Sequence, residues 1–264
     1  MTQSPTKMPQ LDLDYAIEDD IPGGELKRDS RFMFARMEQL ITDKATEGGP
    51  GRVLDVGCGF GQQLMLLRER GWDAWGLDAS KDLARYSSTR FQQRAPAVCA
   101  IAESLPFADA SFDRVLCQGS IDHFAQPGSF LKEVARILKP DGRAIIALAN
   151  YGSLSSRLGS RLYKLKRGAG VSVFEGRNYW EIPRNHTFRG THRVLIDMCS
   201  QHLELVECRG ISLLWLFHSW TRLMEALPQP IAWTMMSALD KIAYRMPSIA
   251  DELVSVWRPK AASS

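Results

Sequence analysis

The chain has 264 residues, 45% of them hydrophobic, and a formal net charge of +3. That composition suits a globular protein with a sizeable core and is too weakly basic to argue for nucleic-acid binding. Five cysteines, at 58, 99, 117, 199 and 208, show neither Cys-x-x-Cys nor Cys/His ligand spacing, so no disulfide framework or metal site is expected and a reducing cytoplasm fits. The longest uninterrupted apolar run, "LLWLF" at 213–217, falls far short of the ~20 residues of a spanning helix. The N-terminus also lacks the apolar stretch of a signal peptide, so a soluble, cytoplasmic protein with room for peripheral membrane contact is expected.

Residues 1–23 are acidic and proline-containing and read as a flexible arm. Phe32, Met33, Met37, Leu40 and Ile41 then recur near helical spacing, until "EGGPG" (47–51) ends the helix. From there strands and amphipathic helices alternate. "RVLDV" (52–56), "DAWGLD" (73–78), "AVCAI" (97–101), "FDRVLCQ" (112–118) and "RAIIALAN" (143–150) read as strands. The intervening helices are "QQLMLLRERG" (62–71), 80–95 with Ser80 as cap, and "PGSFLKEVARILKPDG" (127–142). This rhythm predicts an α/β, doubly wound, mostly parallel sheet.

After Asn150 the rhythm breaks. A basic insertion, 151–190, places Leu154, Leu158, Leu162 and Leu165 on one face of a helix. Residues 191–264 read as the end of the core, with helix and strand over 191–211 and a last strand at 252–259. A helical insertion at 212–246 interrupts them, divided by "PQP" (228–230), with Ala232, Met235, Leu239, Ile242 and Met246 in a stripe.

The chemistry begins at "VLDVGCGFG" (53–61), a strand that runs into alternating Gly57, Gly59 and Gly61. A phosphate-binding loop needs Gly-Lys-Ser/Thr, and "FGQQ" has no lysine. A dinucleotide fingerprint needs a third glycine at 62 or 64, where Gln62 and Leu64 stand. Asp78 then ends the second strand, where a carboxylate can accept hydrogen bonds from ribose hydroxyls or cap the next helix. With "GLDAS" (76–80), "ESLPFADASFD" (103–113) and "ILKPDG" (137–142) following in order, the segment resembles the class I S-adenosylmethionine-dependent methyltransferases, in particular the small-molecule branch that includes ubiquinone and menaquinone biosynthetic enzymes.

That resemblance spans about residues 50–150 and implies a Rossmann-like, seven-stranded sheet with an antiparallel last strand, and S-adenosyl-L-methionine as cofactor. It implies that Gly57, Cys58, Gly59 and Gly61 lie against the methionine part, that Asp55 orders the loop and the amino group, and that Asp78, with Ala79 beside it, holds the ribose. Ala102 and Glu103 fall beside the adenine, and Cys117 and Gln118 face the methyl group. One departure stands out: the family commonly has an acid before "AExLPF", and here that residue is Ile101, which accepts no hydrogen bond.

A sulfonium methyl needs no protein nucleophile, so alignment and exclusion of water carry much of the catalysis. If a proton must leave the acceptor, the candidate bases are His123, Asp122 and His186; His123 also reads as a structural residue holding its loop, Asp122 rather as a loop or surface acid, and Tyr151 as an acceptor contact or a cap of the sheet. The expected acceptor is a small molecule, amphiphilic or anionic, met by the basic insertion (Arg157, Arg161, Lys164, Arg167) and by the aromatic residues of 212–246. The competing readings are a non-catalytic S-adenosylmethionine-binding protein of the same fold and an RNA or protein methyltransferase. The latter lacks an "NPPY"-like motif at "CQGSID" and an added nucleic-acid-binding domain.

Overall fold

A computed structural model describes residues 26–90, 96–171 and 177–261. The expected acidic arm and residues 172–176 of the basic insertion lie outside the described residues.

Helix α1 (Arg28–Thr46) leads into β1 (Arg52–Val56), four of whose five residues are buried. The alternation then continues through α2 (Gln62–Glu69), β2 (Asp73–Asp78), α3 (Lys81–Arg90), β3 (Ala97–Cys99) and β4 (Phe112–Gln118). Helix α4 (Pro127–Ile137) opens on a proline and buries Phe130, Leu131, Val134 and Ile137, one helical face. It stops five residues before the sequence pattern suggested, because Pro140 has no N–H to continue the ladder. Strand β5 (Leu138–Ala149) starts there instead. A Cβ on Gly142 would approach the Lys139 carbonyl to 2.9 Å, so the turn inside β5 requires glycine.

Beyond β5 come α5 (Leu154–Gly168), α6 (His192–Cys199), β6 (Leu203–Ile211), α7 (His218–Ala226), α8 (Gln229–Arg245) and β7 (Glu252–Pro259). The sheet order is β3-β2-β1-β4-β5-β7-β6, and every pairing is parallel except those of β7, which runs antiparallel to both neighbours. The last strand is therefore the antiparallel one, as expected. Met33, Leu40, Ile41, Leu64 and Leu67 pack against one face of the sheet with Ile145 and Val254. Phe130, Val134, Leu195 and Trp257 pack on the other. Burying each of these large side chains contributes about 1.5–3 kcal/mol.

Two expected stripes are displaced. On α8 the buried residues are Ala232, Met236, Asp240 and Ala243, while Ile242 and Met246 are exposed. The acid turns inward because its carboxylate accepts the Ser212 N–H (3.1 Å) and the Arg36 Nε (2.9 Å). On α5 the buried residues are Ser155, Ser156 and Gly159, and Leu162 and Leu165 face solvent. Tyr179 and Trp180 pack so closely on Gly159 that no leucine could take its place.

Candidate active site

Adjacent strands β1 and β4 lead their chains in opposite directions across the sheet, and a crevice opens where they part, at the carboxyl ends of the strands. The loop after β1 fills one side of it. Gly57 and Gly61 both have φ near +75° and Gly59 has φ +48°, the left-handed region that side chains avoid. The N–H groups of Gly57 and Cys58 both reach the Leu77 carbonyl, at 2.8 and 3.0 Å, and Gly61 N–H closes the turn on Cys58 O at 2.8 Å. A Cβ on Gly57 would sit 2.6 Å from Ser120 Cβ, whereas one on Gly59 would meet nothing within 4 Å. Gly57 is thus needed for internal packing, and Gly59 leaves backbone open to a ligand.

Asp78 ties this loop to the next one. Its Oδ2 accepts the Gly59 N–H (3.0 Å) and its Oδ1 the Ser80 N–H (2.8 Å). Ser80 Oγ in turn accepts the Leu83 N–H, which makes it the cap of α3. Asp55, at the end of β1, is 4% exposed. Burial, reinforced by the charge of Asp78, pushes its carboxyl up to about 7. Two carboxylates with this mutual repulsion, beside open glycine backbone, fit a ligand that brings positive charge and hydroxyl donors. At the neighbouring strand end Ala102 is buried and Ile101 is 57% exposed. Glu103 Oε1 is engaged by the Gln126 N–H at 3.1 Å. Cys117 is buried, and burial pushes its thiol up. The Gln118 carbonyl oxygen of the amide accepts Gln63 Nε2 at 3.3 Å.

Across the crevice lies a cavity of about 90 Å3. Phe34, Met37, Trp215 and Leu216 supply its apolar wall, and Asp122, Tyr151, Arg177, His186 and Asp251 are among its polar residues. Its neighbour toward the glycine loop is Gly119, and Ser120 Oγ lies 3.4 Å from Gly57 O, so loop and cavity share an edge. Because β7 runs antiparallel, its beginning lies at this end of the sheet and brings Asp251 and Glu252 to the cavity. Asp251 joins three segments: its carboxylate accepts the Trp215 N–H at 2.8 Å and Ser155 Oγ, and its carbonyl accepts the Asn150 N–H at 2.8 Å. Burial pushes Asp251 up to about 7, against these hydrogen bonds. Tyr179 closes the side by donating to Ser155 O at 2.8 Å.

Asp122 is not a surface acid. It sits in a 3-10 turn (Ile121–His123), is 2% exposed, and its Oδ2 lies 3.1 Å from His186 Nδ1. The backbone explains the proximity of residues 64 positions apart: Thr187 donates its N–H to Asp122 O at 2.7 Å and its hydroxyl to Phe124 O at 2.9 Å. His123 and His186 meet edge to face, 4.6 Å between ring centroids, and Tyr151 lies 6.0 Å beyond. Sequence reasoning thus named both histidines and Tyr151, and the structure brings them together. It missed Asp122 as a partner, and also Asp251 and Tyr179, which no motif marks. The basic insertion supplies much of the cavity wall, with Tyr151, Ser155, Arg177 and Tyr179, but not through the four cations expected of it. Arg157 bonds to the Gly152 and Ser248 carbonyls, and Arg161, Lys164 and Arg167 are exposed; among the described residues the arginine that lines the cavity is Arg177. Of the aromatic stripe, Trp215 reaches the cavity, whereas Trp233 stacks edge-on against Phe32 and is 40% exposed.

The sheet order and the strand-to-helix loops make a Rossmann-like fold, and in sequence residues 54–146 match the family described as "Methyltransferase domain". This segment is thus similar to methyltransferase domains, and S-adenosylmethionine is the cofactor that such a domain implies. Among relatives, the chain is 35% identical over 134 residues to the uncharacterized methyltransferase YcgJ of Bacillus subtilis, covering 46% of this chain and 50% of that one. It is 31% identical over 136 residues to the ubiquinone biosynthesis O-methyltransferase of Methylococcus capsulatus, covering 49% and 55%. The chain spans about half the length of the curated relatives it matches. Two solved structures share the fold: YcgJ of Bacillus subtilis (TM-score 0.54, 20% identity, 86% of this chain and 100% of that) and the [4+2]-cyclase SpnF (TM-score 0.56, 20% identity, 86% and 82%). No described helix is long and apolar enough to cross a membrane.

Proposed function

We propose that the protein transfers the methyl group of S-adenosylmethionine to a small molecule held in the cavity beside Gly119. The observation that carries this reading is the shared edge between the glycine loop and the cavity, through Ser120 and Gly57. The cofactor supplies an activated methyl on a sulfonium; everything else is work for the chain. Gly59 leaves room for the methionine part, Asp55 offers a carboxylate to its cationic end, and Asp78 turns toward the ribose hydroxyls while holding the loop. With Ile101 in place of an acid and Glu103 engaged by Gln126, adenine recognition falls to the backbone around buried Ala102. Gln118 and Cys117 end β4 on the methyl side.

The acceptor lies with its apolar part against Phe34, Met37 and Trp215 and its polar part toward Tyr151, His123 and His186. Holding two reactants in line in a water-poor cavity lowers a barrier by roughly 7–11 kcal/mol at best. Arg177 offers a cationic contact for an anionic group of the acceptor, a role first expected of the insertion helix. Relatives named for ubiquinone biosynthesis and for malonyl-[acyl-carrier protein] O-methylation support an oxygen acceptor. The SpnF likeness favours a second reading, a protein that keeps the fold and turns it to other chemistry. Incubating the full chain with methyl-labelled cofactor and a metabolite extract separates them. Label recovered in a small product supports transfer; cofactor binding with no labelled product supports the second reading.

A further inference from the structure

We propose that Asp122, His123 and His186 form a site for a divalent first-row transition ion, open toward the acceptor cavity. One ligand atom from each residue can be chosen so that all lie within 4.8 Å of one another. Bonds of about 2.0–2.2 Å place neighbouring ligand atoms of a bound ion roughly 3–3.5 Å apart. The edge from Asp122 Oδ2 to His186 Nδ1, at 3.1 Å, already has that length. A carboxylate hydrogen-bonded to an imidazole shows the same distance, so this edge alone decides nothing.

The other oxygen decides it. Asp122 Oδ1 is buried and has no hydrogen-bond partner, in a side chain 4% exposed. A desolvated carboxylate oxygen left this way is costly, and a cation held by both oxygens of Asp122 and by the two imidazoles would remove the cost. An ordinary Asp–His pair also has no use for His123, whose ring lies edge-on to His186.

The donor set selects the ion. Two imidazoles and one carboxylate suit zinc or iron(II), whereas magnesium and calcium prefer oxygen throughout. The frame is fixed, because the 3-10 turn carries Asp122 and His123 together and the Thr187 hydrogen bonds hold His186 against them. Three protein ligands leave a coordination position open, the pattern of a reactive rather than a structural site. Asp122 and His186 both line the cavity, so that position faces the acceptor. The consequence for methyl transfer rests on the function proposed above. An acceptor hydroxyl bound to the ion loses its proton to solvent more readily. Its oxygen lone pair then forms the bond to the methyl carbon, while the electron pair of the breaking S–C bond stays on sulfur.

Binding is tested without any acceptor. Untagged full chain, stripped with chelator, is titrated with cobalt(II) and followed by visible absorption, then challenged with zinc. A single saturable step with ligand-field bands distinct from aqueous cobalt, reversed by zinc, is the expected result. His123→Ala, His186→Ala and the isosteric Asp122→Asn should each abolish it while S-adenosylmethionine binding and circular dichroism are retained. Uptake that stays unsaturated, a spectrum that remains that of aqueous cobalt, or a step that survives in the histidine variants overturns the proposal. Because no methyl transfer is read, an absence of labelled product would sink the proposed function and leave this result standing, and the reverse also holds.

Discussion

The two sides of the crevice are built by different means. The proposed cofactor side is local: Asp55, Gly57, Gly59 and Gly61 lie within seven residues, and Asp78 accepts a hydrogen bond from the Gly59 N–H. The proposed acceptor side is assembled from six stretches of the chain, carrying Phe34, Asp122, Tyr151, Arg177, Trp215 and Asp251. Its connections are buried polar ones, such as Asp251 to Trp215, Trp215 Nε1 to Ser30 Oγ (3.0 Å) and Arg36 to Asp240. The first side answers to backbone geometry, so it tolerates few sequences. The second answers to side chains on separate supports, so it can vary while the fold stays. The difference teaches where to strike each half without damaging the other.

The largest expected effect lies on the cofactor side. Gly57→Ala puts a Cβ at φ +75° and drives it against Ser120, whose Oγ is held by the Gln118 carbonyl at 3.1 Å. Left-handed strain and overpacking together should cost about 3 kcal/mol or more, seen as a large fall in melting temperature and loss of cofactor binding. Gly59→Ala, with open space above it, should spare the melting temperature more than the cofactor affinity. Equal thermal damage from both would break the distinction between a packing glycine and a ligand-facing one.

Asp78→Ala comes next. It removes the proposed ribose acceptor and the partner of the Gly59 and Ser80 N–H groups, and should weaken cofactor binding by about 2–4 kcal/mol in calorimetry. Unchanged affinity would put the ribose elsewhere.

Asp55 links the halves to pH. Its carboxyl titrates near 3.8 when unfolded and near 7 when folded, so between those values the native state binds the extra proton. Stability of the ligand-free protein therefore falls as pH rises from about 4 to 7 and levels off above, and Asp251 adds a slope of the same sign. Asp55→Asn should remove its share, leaving the protein more stable at pH 8 by an amount on the order of 1–4 kcal/mol. The same variant should bind the cationic cofactor more weakly, and wild-type binding below pH 7 should release a proton, read from calorimetry in buffers of different ionisation enthalpy. A melting temperature that climbs through this window would contradict the burial argument.

The smallest effect tests the acceptor side alone. Tyr179→Phe loses the hydroxyl donated to Ser155 O, worth about 1 kcal/mol, and should raise the acceptor KM roughly fivefold with cofactor affinity unchanged. A matching loss of cofactor affinity would show that the two sides do not separate.

Strand positions and the resemblance to a methyltransferase domain were legible in the sequence. β1, β2, β4 and β7 have the boundaries that their apolar runs predict, and the glycine spacing with Asp78 singled out the loop proposed for the cofactor, because both depend on neighbours a few residues apart. His123, His186 and Tyr151 were legible as candidates, though not as one cluster. Only the tertiary structure turned Asp122 inward onto His186, since the Thr187 hydrogen bonds that pair them span the chain. Only it rotated the stripe on α8 to bury Asp240, and placed Arg177 rather than the cations of α5 at the cavity. Periodicity counts apolar faces and cannot weigh a buried carboxylate against the distant N–H or guanidinium that satisfies it. The antiparallel entry of β7 then brought Asp251 to the carboxyl end of the sheet, a position fixed by strand order and not by any local motif.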